Sequence, residues 1–244
     1  MRFYAQADFF SLEVNMETLF NGFTLEIAPG TFPLSTDSMA LADFVRLPKQ
    51  AKVLDLGSGC GTLGILLCAK DSGCTVTGIE LDCKAHEMAL KNLADNHLEG
   101  RLVSICADIS QIADQIAPGS FEICISNPPY FTAGFLSKTT PNARHEKCCT
   151  LENLMAAASH ALKFGGDFYL VHKPERLAEI FTAASKYKLE PKRLCLLRHK
   201  ENSPICLVLV QCRKGAKPGL LWKEAALRDQ SGNPTAYYRQ IYHL

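Results

Sequence analysis

Val53-Leu54-Asp55-Leu56-Gly57-Ser58-Gly59-Cys60-Gly61-Thr62-Leu63-Gly64 reads as a buried strand, a glycine-rich turn and the start of a helix that stays apolar over residues 62–69. Glycines let a backbone approach a ligand closely and a helix N-terminus presents unpaired N–H groups, so this pattern describes a strand–loop–helix nucleotide site. Gly59, Gly61 and Gly64 also meet the G-x-G-x-x-G spacing of dinucleotide-binding turns, and Glu80 stands 21 residues after Gly59, where a ribose-binding acid belongs. A loop this rich in glycine satisfies that spacing by chance, so the ligand has to be read from other residues.

Those residues stand at strand ends. Apolar strands are predicted over 74–79, 102–107 and 121–125, and the four consecutive strands finish in Asp55, Glu80, Asp108 and Asn127. In a parallel sheet such ends line one crevice, which is where open α/β folds bind ligands. Three carboxylates suit a pyrophosphate poorly. They suit a cation that carries ribose hydroxyls and an amino-purine, and S-adenosylmethionine is such a ligand: Glu80 can accept from the ribose hydroxyls and Asp108 from the adenine amine. Any one of these acids alone is better explained as a helix N-cap; their recurrence at all four ends favours a site.

The fourth strand runs into Ile125-Ser126-Asn127-Pro128-Pro129-Tyr130. Two successive prolines supply no N–H, which leaves the Asn127 and Pro128 carbonyls outside any regular ladder. The Asn127 side-chain oxygen adds an acceptor and Tyr130 a ring face, which together describe a slot for a planar NH₂ group. A plain proline turn accounts for these four residues equally well; the glycine loop upstream decides between the two.

With both features in view, the chain resembles class I methyltransferases of the Asn-Pro-Pro-Tyr type, and more narrowly the bacterial tRNA adenine-N6 methyltransferases that modify a valine tRNA beside its anticodon. Glu17-Thr18-Leu19, Phe32-Pro33-Leu34-Ser35-Thr36-Asp37, Ala143-Arg144-His145-Glu146, Val171-His172-Lys173-Pro174-Glu175-Arg176-Leu177 and Lys214-Gly215-Ala216-Lys217-Pro218-Gly219-Leu220 follow that family's order over nearly the whole chain. Asn233-Pro234-Thr235-Ala236-Tyr237 replaces the family's usual glycine-tyrosine-threonine run. The resemblance implies a Rossmann-like α/β fold with about seven mainly parallel strands and helices on both faces. It implies S-adenosylmethionine as cofactor, S-adenosylhomocysteine as product, and cofactor contacts from Thr36, Asp37, Asp55, Gly57, Ser58, Gly59, Glu80, Leu81, Asp108, Ile109 and Asn127. It also places catalysis on Asn127, Pro128, Pro129 and Tyr130.

Composition agrees with one large domain spanning 1–244: 47% of residues are hydrophobic, enough for a sizeable core without disulfides. An N-terminal segment (1–48) ends in a helix capped by Asp37 and stopped by Pro48, a core spans 49–212, and a basic tail spans 213–244. Eleven cysteines with no Cys-x-x-Cys pair read as reduced residues of a cytosolic protein, with Cys68, Cys106, Cys124 and Cys206 buried in strands or helices. Cys148-Cys149 reads as incidental. Neither a secretory leader nor a membrane-spanning run is read, and the expected location is cytoplasmic. The seven histidines show no ligand spacing, so no metal is expected. The sequence leaves the oligomeric state open, and a monomer is compatible with it.

Charge is unevenly placed. Residues 1–183 hold 14 Lys/Arg against 21 Asp/Glu, whereas 184–244 hold 12 against 4, a basic third of the kind that contacts a phosphate backbone. The RNA-contact candidates are Phe131, Arg144, Lys192, Arg193, Arg198 and Lys200. A solvated surface of scattered lysines is the alternative account of the charge, with RNA contact favoured over it, and Trp222, Tyr237, Tyr238 and Tyr242 are expected to pack onto the sheet rather than stack on bases. Residues 131–147 lack hydrophobic periodicity and read as a long functional loop. The expected reaction is N6-methylation of an adenine in RNA, tRNA first. N5-methylation of a protein glutamine and an inactive RNA-binding relative are the alternatives; a dehydrogenase ranks below both.

Overall fold

The computed structural model describes residues 15–27, 34–129 and 150–244. In those residues a hairpin, β1 (Asn15–Thr18) and β2 (Thr24–Ile27), precedes α1 (Thr36–Phe44). The core follows as β3 (Lys52–Leu56), α2 (Thr62–Lys70), β4 (Thr75–Glu80), α3 (Cys83–Asp95), β5 (Leu102–Cys106) and β6 (Phe121–Ser126). After it come α4 (Leu151–Ala161), β7 (Leu162–His172), α5 (Leu177–Lys186), β8 (Leu189–Lys200), β9 (Ile205–Lys214), β10 (Leu221–Arg228) and α6 (Ala236–Tyr242). No described helix is long and apolar enough to cross a membrane.

Strands β3 to β10 form one eight-stranded sheet in the order β10-β8-β9-β7-β6-β3-β4-β5. Only β9 runs against its neighbours; every other pair is parallel. The central strands are apolar at nearly every position because both faces are covered. Alternate residues separate cleanly: Val53, Ile123, Ile125, Tyr169 and Val171 enter one core with α1 and α2, while Leu54, Leu56, Cys124, Phe168 and Leu170 enter the other with α4 and α5. From β3 the chain moves outward to β4 and β5, then returns to place β6 on β3's other side. The crevice between β3 and β6 is therefore the switch point where α/β sheets bind ligands.

The sheet has one strand more than the seven expected, and the addition comes from the presumed tail. Leu221, Trp222, Lys223 and Glu224 of β10 are all exposed and only Leu227 is buried, so this edge strand carries no alternation to read. At α1 the cap is Ser35, whose side chain accepts from Ser38 N at 3.3 Å; Asp37 lies inside the first turn instead, where its charge still complements the helix dipole. Cys106, expected to be buried, is exposed at the end of β5, and Cys206 is partly exposed. Helix α1 is pinned at both ends. Lys70 Nζ donates to the Ala42, Asp43 and Val45 carbonyls at 2.8–2.9 Å, and Thr36 Oγ1 shares a 2.8 Å hydrogen bond with the Tyr242 hydroxyl of α6.

Candidate active site

The turn from β3 to α2 is built on left-handed glycines. Gly57, Gly59 and Gly61 have φ of +76°, +56° and +84°, a region that side chains resist. A Cβ on Gly57 or Gly59 would meet nothing within 4 Å, whereas one on Gly64 would lie 2.7 Å from Leu102 Cδ1 and one on Gly78 2.6 Å from Ser58 Oγ. The first two glycines thus open a space beside the loop, and the latter two allow close packing beneath it.

Glu80 ties the loop to the next strand. Its carboxylate accepts from Gly59 N at 2.7 Å and from Asp82 N at 2.8 Å, while Gly57 N and Ser58 N donate to the Ile79 carbonyl at 2.9 and 3.0 Å. Each carboxylate oxygen keeps a second lone pair for a ligand hydroxyl. Asp108 accepts from Ser110 N at 2.8 Å and caps a short 3₁₀ helix, Ile109–Asp114, so at that position the capping role is realised. Leu81 is half-buried at the exit of β4, and Ile109 turns its side chain into the α4/α5 core.

Asp55 differs from the other acids. It is 1% exposed, and neither carboxylate oxygen has a hydrogen-bond partner among the described residues; Ser58 Oγ is buried and unpartnered as well. Burial, and then the charge of Glu80, push the Asp55 carboxyl up to about 8. An unpaired polar group inside a protein is costly unless something completes it. A cationic ligand seated beside the open glycines would do so, and a sulfonium bearing an amino-acid ammonium fits the donor and acceptor set offered by Asp55, Ser58 and Glu80.

Asn127 stands at the end of β6, across the switch point from Asp55. Its amide Nδ2 donates to Ser38 Oγ of α1 at 3.0 Å, and the preceding Ser126 Oγ, fully buried, donates to the Leu56 carbonyl of β3 at 2.7 Å. The corner is therefore anchored to the strand that carries the glycine loop and to the helix laid over it. Neither serine was singled out from sequence. The available signal was a hydroxyl adjoining an apolar run, after Ile123-Cys124-Ile125 in one case and before Met39-Ala40-Leu41 in the other. Pro128 is buried and Pro129 half-buried; Tyr130, Phe131 and Arg144 lie outside the described residues.

The remaining basic candidates are not brought together. Because β8 runs parallel to the core strands, Arg198 and Lys200 lie at the end of the sheet that holds the site, and Lys192 and Arg193 lie at the other. Arg198 pairs with Glu224 at 3.0 Å, and Arg193 sits over the Phe44 ring, 4.3 Å from its centroid. Tyr237, Tyr238 and Tyr242 pack on the core as expected, while Trp222 remains 64% exposed.

Comparison with known proteins identifies the family and the fold. The family model for the methyltransferase small domain matches residues 34–182. A relative from Photobacterium profundum, named tRNA1(Val) (adenine(37)-N6)-methyltransferase, is 30% identical over 209 residues, 84% of this chain and 87% of its own. A relative of the same name from Bacteroides fragilis is 26% identical and covers 91% of this chain and 96% of its own. The fold matches a predicted O-methyltransferase from Agrobacterium tumefaciens with a TM-score of 0.72 at 21% identity, over 85% of this chain and 96% of that one. The family match takes in the glycine loop, the acidic strand ends and the Asn-Pro-Pro-Tyr corner together, and the chain belongs to the methyltransferase small domain family.

Proposed function

We propose that the protein uses S-adenosylmethionine to methylate the exocyclic N6 of an adenine in tRNA, with adenine 37, beside the anticodon, as the target named for its relatives. The observation that carries this reading is Asn127 held by Ser38 at the switch point, across from the buried, unpartnered carboxylate of Asp55. Bound there, the cofactor supplies a methyl group on an electrophilic sulfonium.

Asp55, Ser58 and the loop of Gly57 and Gly59 hold the cationic end of the cofactor, and Glu80 and Asp108 hold the ribose and adenine. The adenine amine is a weak nucleophile because its lone pair is conjugated with the ring. Accepting its two N–H groups on Asn127 Oδ1 and the Pro128 carbonyl favours pyramidal nitrogen and stabilises the positive charge that grows during attack. Tyr130 holds the extruded base flat, with Phe131 as a second wall. No strong base is needed, since the N–H becomes acidic only after the methyl has moved. Alignment supplies much of the rate, for which well-oriented groups contribute roughly 7 to 11 kcal/mol.

The test is to incubate the protein with the cofactor and unmodified bulk tRNA, digest the RNA to nucleosides and analyse them by mass spectrometry. N6-methyladenosine is the expected product. Methyl on protein glutamine with none in RNA overturns the assignment.

A further inference from the structure

Lys214-Gly215-Ala216-Lys217-Pro218-Gly219-Leu220 joins β9 to β10 and takes no part in the chemistry above. Since β9 runs against β7 and β8, its end meets the starts of β7, β8 and β10 at the sheet edge opposite Asp55, Glu80 and Asn127. Local contacts gather this turn and its neighbours into one surface. Gly215 N donates to the Lys188 carbonyl at 2.9 Å, and Lys192 Nζ donates to the Lys217 carbonyl at 3.0 Å. The Phe164 ring lies directly against Gly215. Trp222 pairs in register with Leu194, and Lys192, at a bulge two residues earlier on β8, reaches the same turn, its Nζ lying beside Gly219.

Two properties of this edge need explaining. Phe164 is 83% exposed, Leu221 75% and Trp222 64%, and the two aromatic rings stand at this same end of the sheet. The charge here is also one-sided. Of the nearby acids, Glu122 is paired with Lys163 and Asp167 with Arg213, and Glu190, on β8 between Lys188 and Lys192, stands against several lysines. Lys188, Lys192, Lys214 and Lys217 find backbone carbonyls or solvent, and no ion pair with an acid is formed by any of them among the described residues. Lysines interleaved with exposed aromatic rings match single-stranded nucleic acid, whose phosphates take the cations and whose unpaired bases stack on the rings. A regular RNA duplex would use the cations and leave the rings idle.

We propose that this edge is a second RNA-binding platform, on which Trp222 and Phe164 stack unpaired bases and Lys188, Lys192 and Lys217 contact the flanking phosphates. Eight residues of β8, a rise of about 26 Å when extended, separate Lys192 from Lys200, so the platform lies at the opposite end of the sheet from the methylation corner. It therefore engages a different part of the same RNA. The choice of tRNA as that RNA rests on the function proposed above; the platform itself does not.

The experiment measures fluorescence anisotropy of labelled full-length unmodified tRNA and of an isolated anticodon stem-loop, using the intact protein, Trp222→Ala, and Lys188→Gln combined with Lys217→Gln. The expected result is about tenfold weaker binding of full-length tRNA by Trp222→Ala. For the lysine variant the slope of log affinity against log salt should fall by roughly 0.7 for each cation removed. Binding of the stem-loop should be unchanged in both variants. Unchanged tRNA binding, or equal losses on both RNAs, overturns the proposal. So does binding to phosphatidylserine vesicles that is lost in these variants while RNA binding persists, since that would make the edge a membrane surface. A wild-type protein that methylates neither RNA would refute the proposed function separately, and the anisotropy comparison would still decide this one.

Discussion

Ser38 of α1 receives the side-chain N–H of Asn127 at 3.0 Å, so a helix laid down before the sheet begins orients the amide at the end of its fourth core strand. In the function proposed above, the amide oxygen is the atom that receives the adenine amine, and the Nδ2–Ser38 hydrogen bond fixes which way the amide is turned. One hydrogen bond of this kind is worth about 1 kcal/mol. Ser38→Ala should accordingly lower kcat roughly five- to tenfold with little change in the KM for S-adenosylmethionine, and Ser38→Thr, which keeps the hydroxyl, should recover most of it. Wild-type kcat in Ser38→Ala would remove the serine from this role.

Asp55 makes ligand-free stability depend on pH. Its carboxyl titrates near 8 when folded against an ordinary value of 3.8, so between those values the folded state holds a proton that the unfolded state has lost, and stability falls as pH rises. His172 acts in the opposite sense: burial, with Arg176 nearby, pushes it down to about 4 from 6.5, and its contribution is lost as pH falls through that window. The two oppose each other below 6.5 and Asp55 acts alone above it. The melting temperature without cofactor should therefore drop from about pH 6.5 to about pH 8, and Asp55→Asn should flatten that drop while abolishing cofactor binding. An equal slope in the variant would locate the titration elsewhere.

Asn92 of α3 stands in for a missing strand. Its amide accepts from Glu26 N at 2.7 Å and donates to the carbonyls of Glu26 and Cys60 at 2.8 and 3.0 Å, while Asn96 repeats the pattern with Thr24 one turn on. These side chains dock the β1–β2 hairpin and hold the glycine loop through Cys60. Asn92→Ala leaves three backbone groups without this partner and should cost about 3 kcal/mol in urea unfolding. A loss below about 1 kcal/mol would mean that water replaces the amide.

Gly59 and Gly64 should fail differently. Gly59→Ala adds a methyl to the open space beside the loop, so cofactor affinity should drop well beyond any loss of stability. Gly64→Ala drives a methyl towards Leu102 and should destabilise by about 1 to 3 kcal/mol, as overpacking does, with cofactor affinity retained. Calorimetric titration beside thermal melts separates the two outcomes, and identical behaviour would contradict the division of labour within the loop.

The parallel core was legible because its strands are apolar at nearly every position and end in Asp55, Glu80, Asp108 and Asn127, a pattern that survives without tertiary information. The β10 edge was not, because Leu221-Trp222-Lys223-Glu224 faces solvent at every position and owes its pairing to β8. Ser35 and Asp37 both suit an N-cap, and only the backbone geometry selects Ser35. Within the site, the glycine loop could be read from composition. The Ser38–Asn127 and Ser126–Leu56 hydrogen bonds could not, since they join residues 89 and 70 positions apart. Lys192 and Lys200, named together as RNA-contact candidates, lie towards opposite ends of one strand.

The decisive comparison is the single-turnover rate of N6-methyladenosine formation by wild type and Asn127→Ala, at saturating cofactor and tRNA, with cofactor Kd measured in parallel. If Asn127 orients the adenine amine, the rate falls by about 100-fold or more, as for loss of an oriented catalytic group, with cofactor affinity nearly unchanged. Equal rates, or a loss fully explained by weaker cofactor binding, would contradict that role.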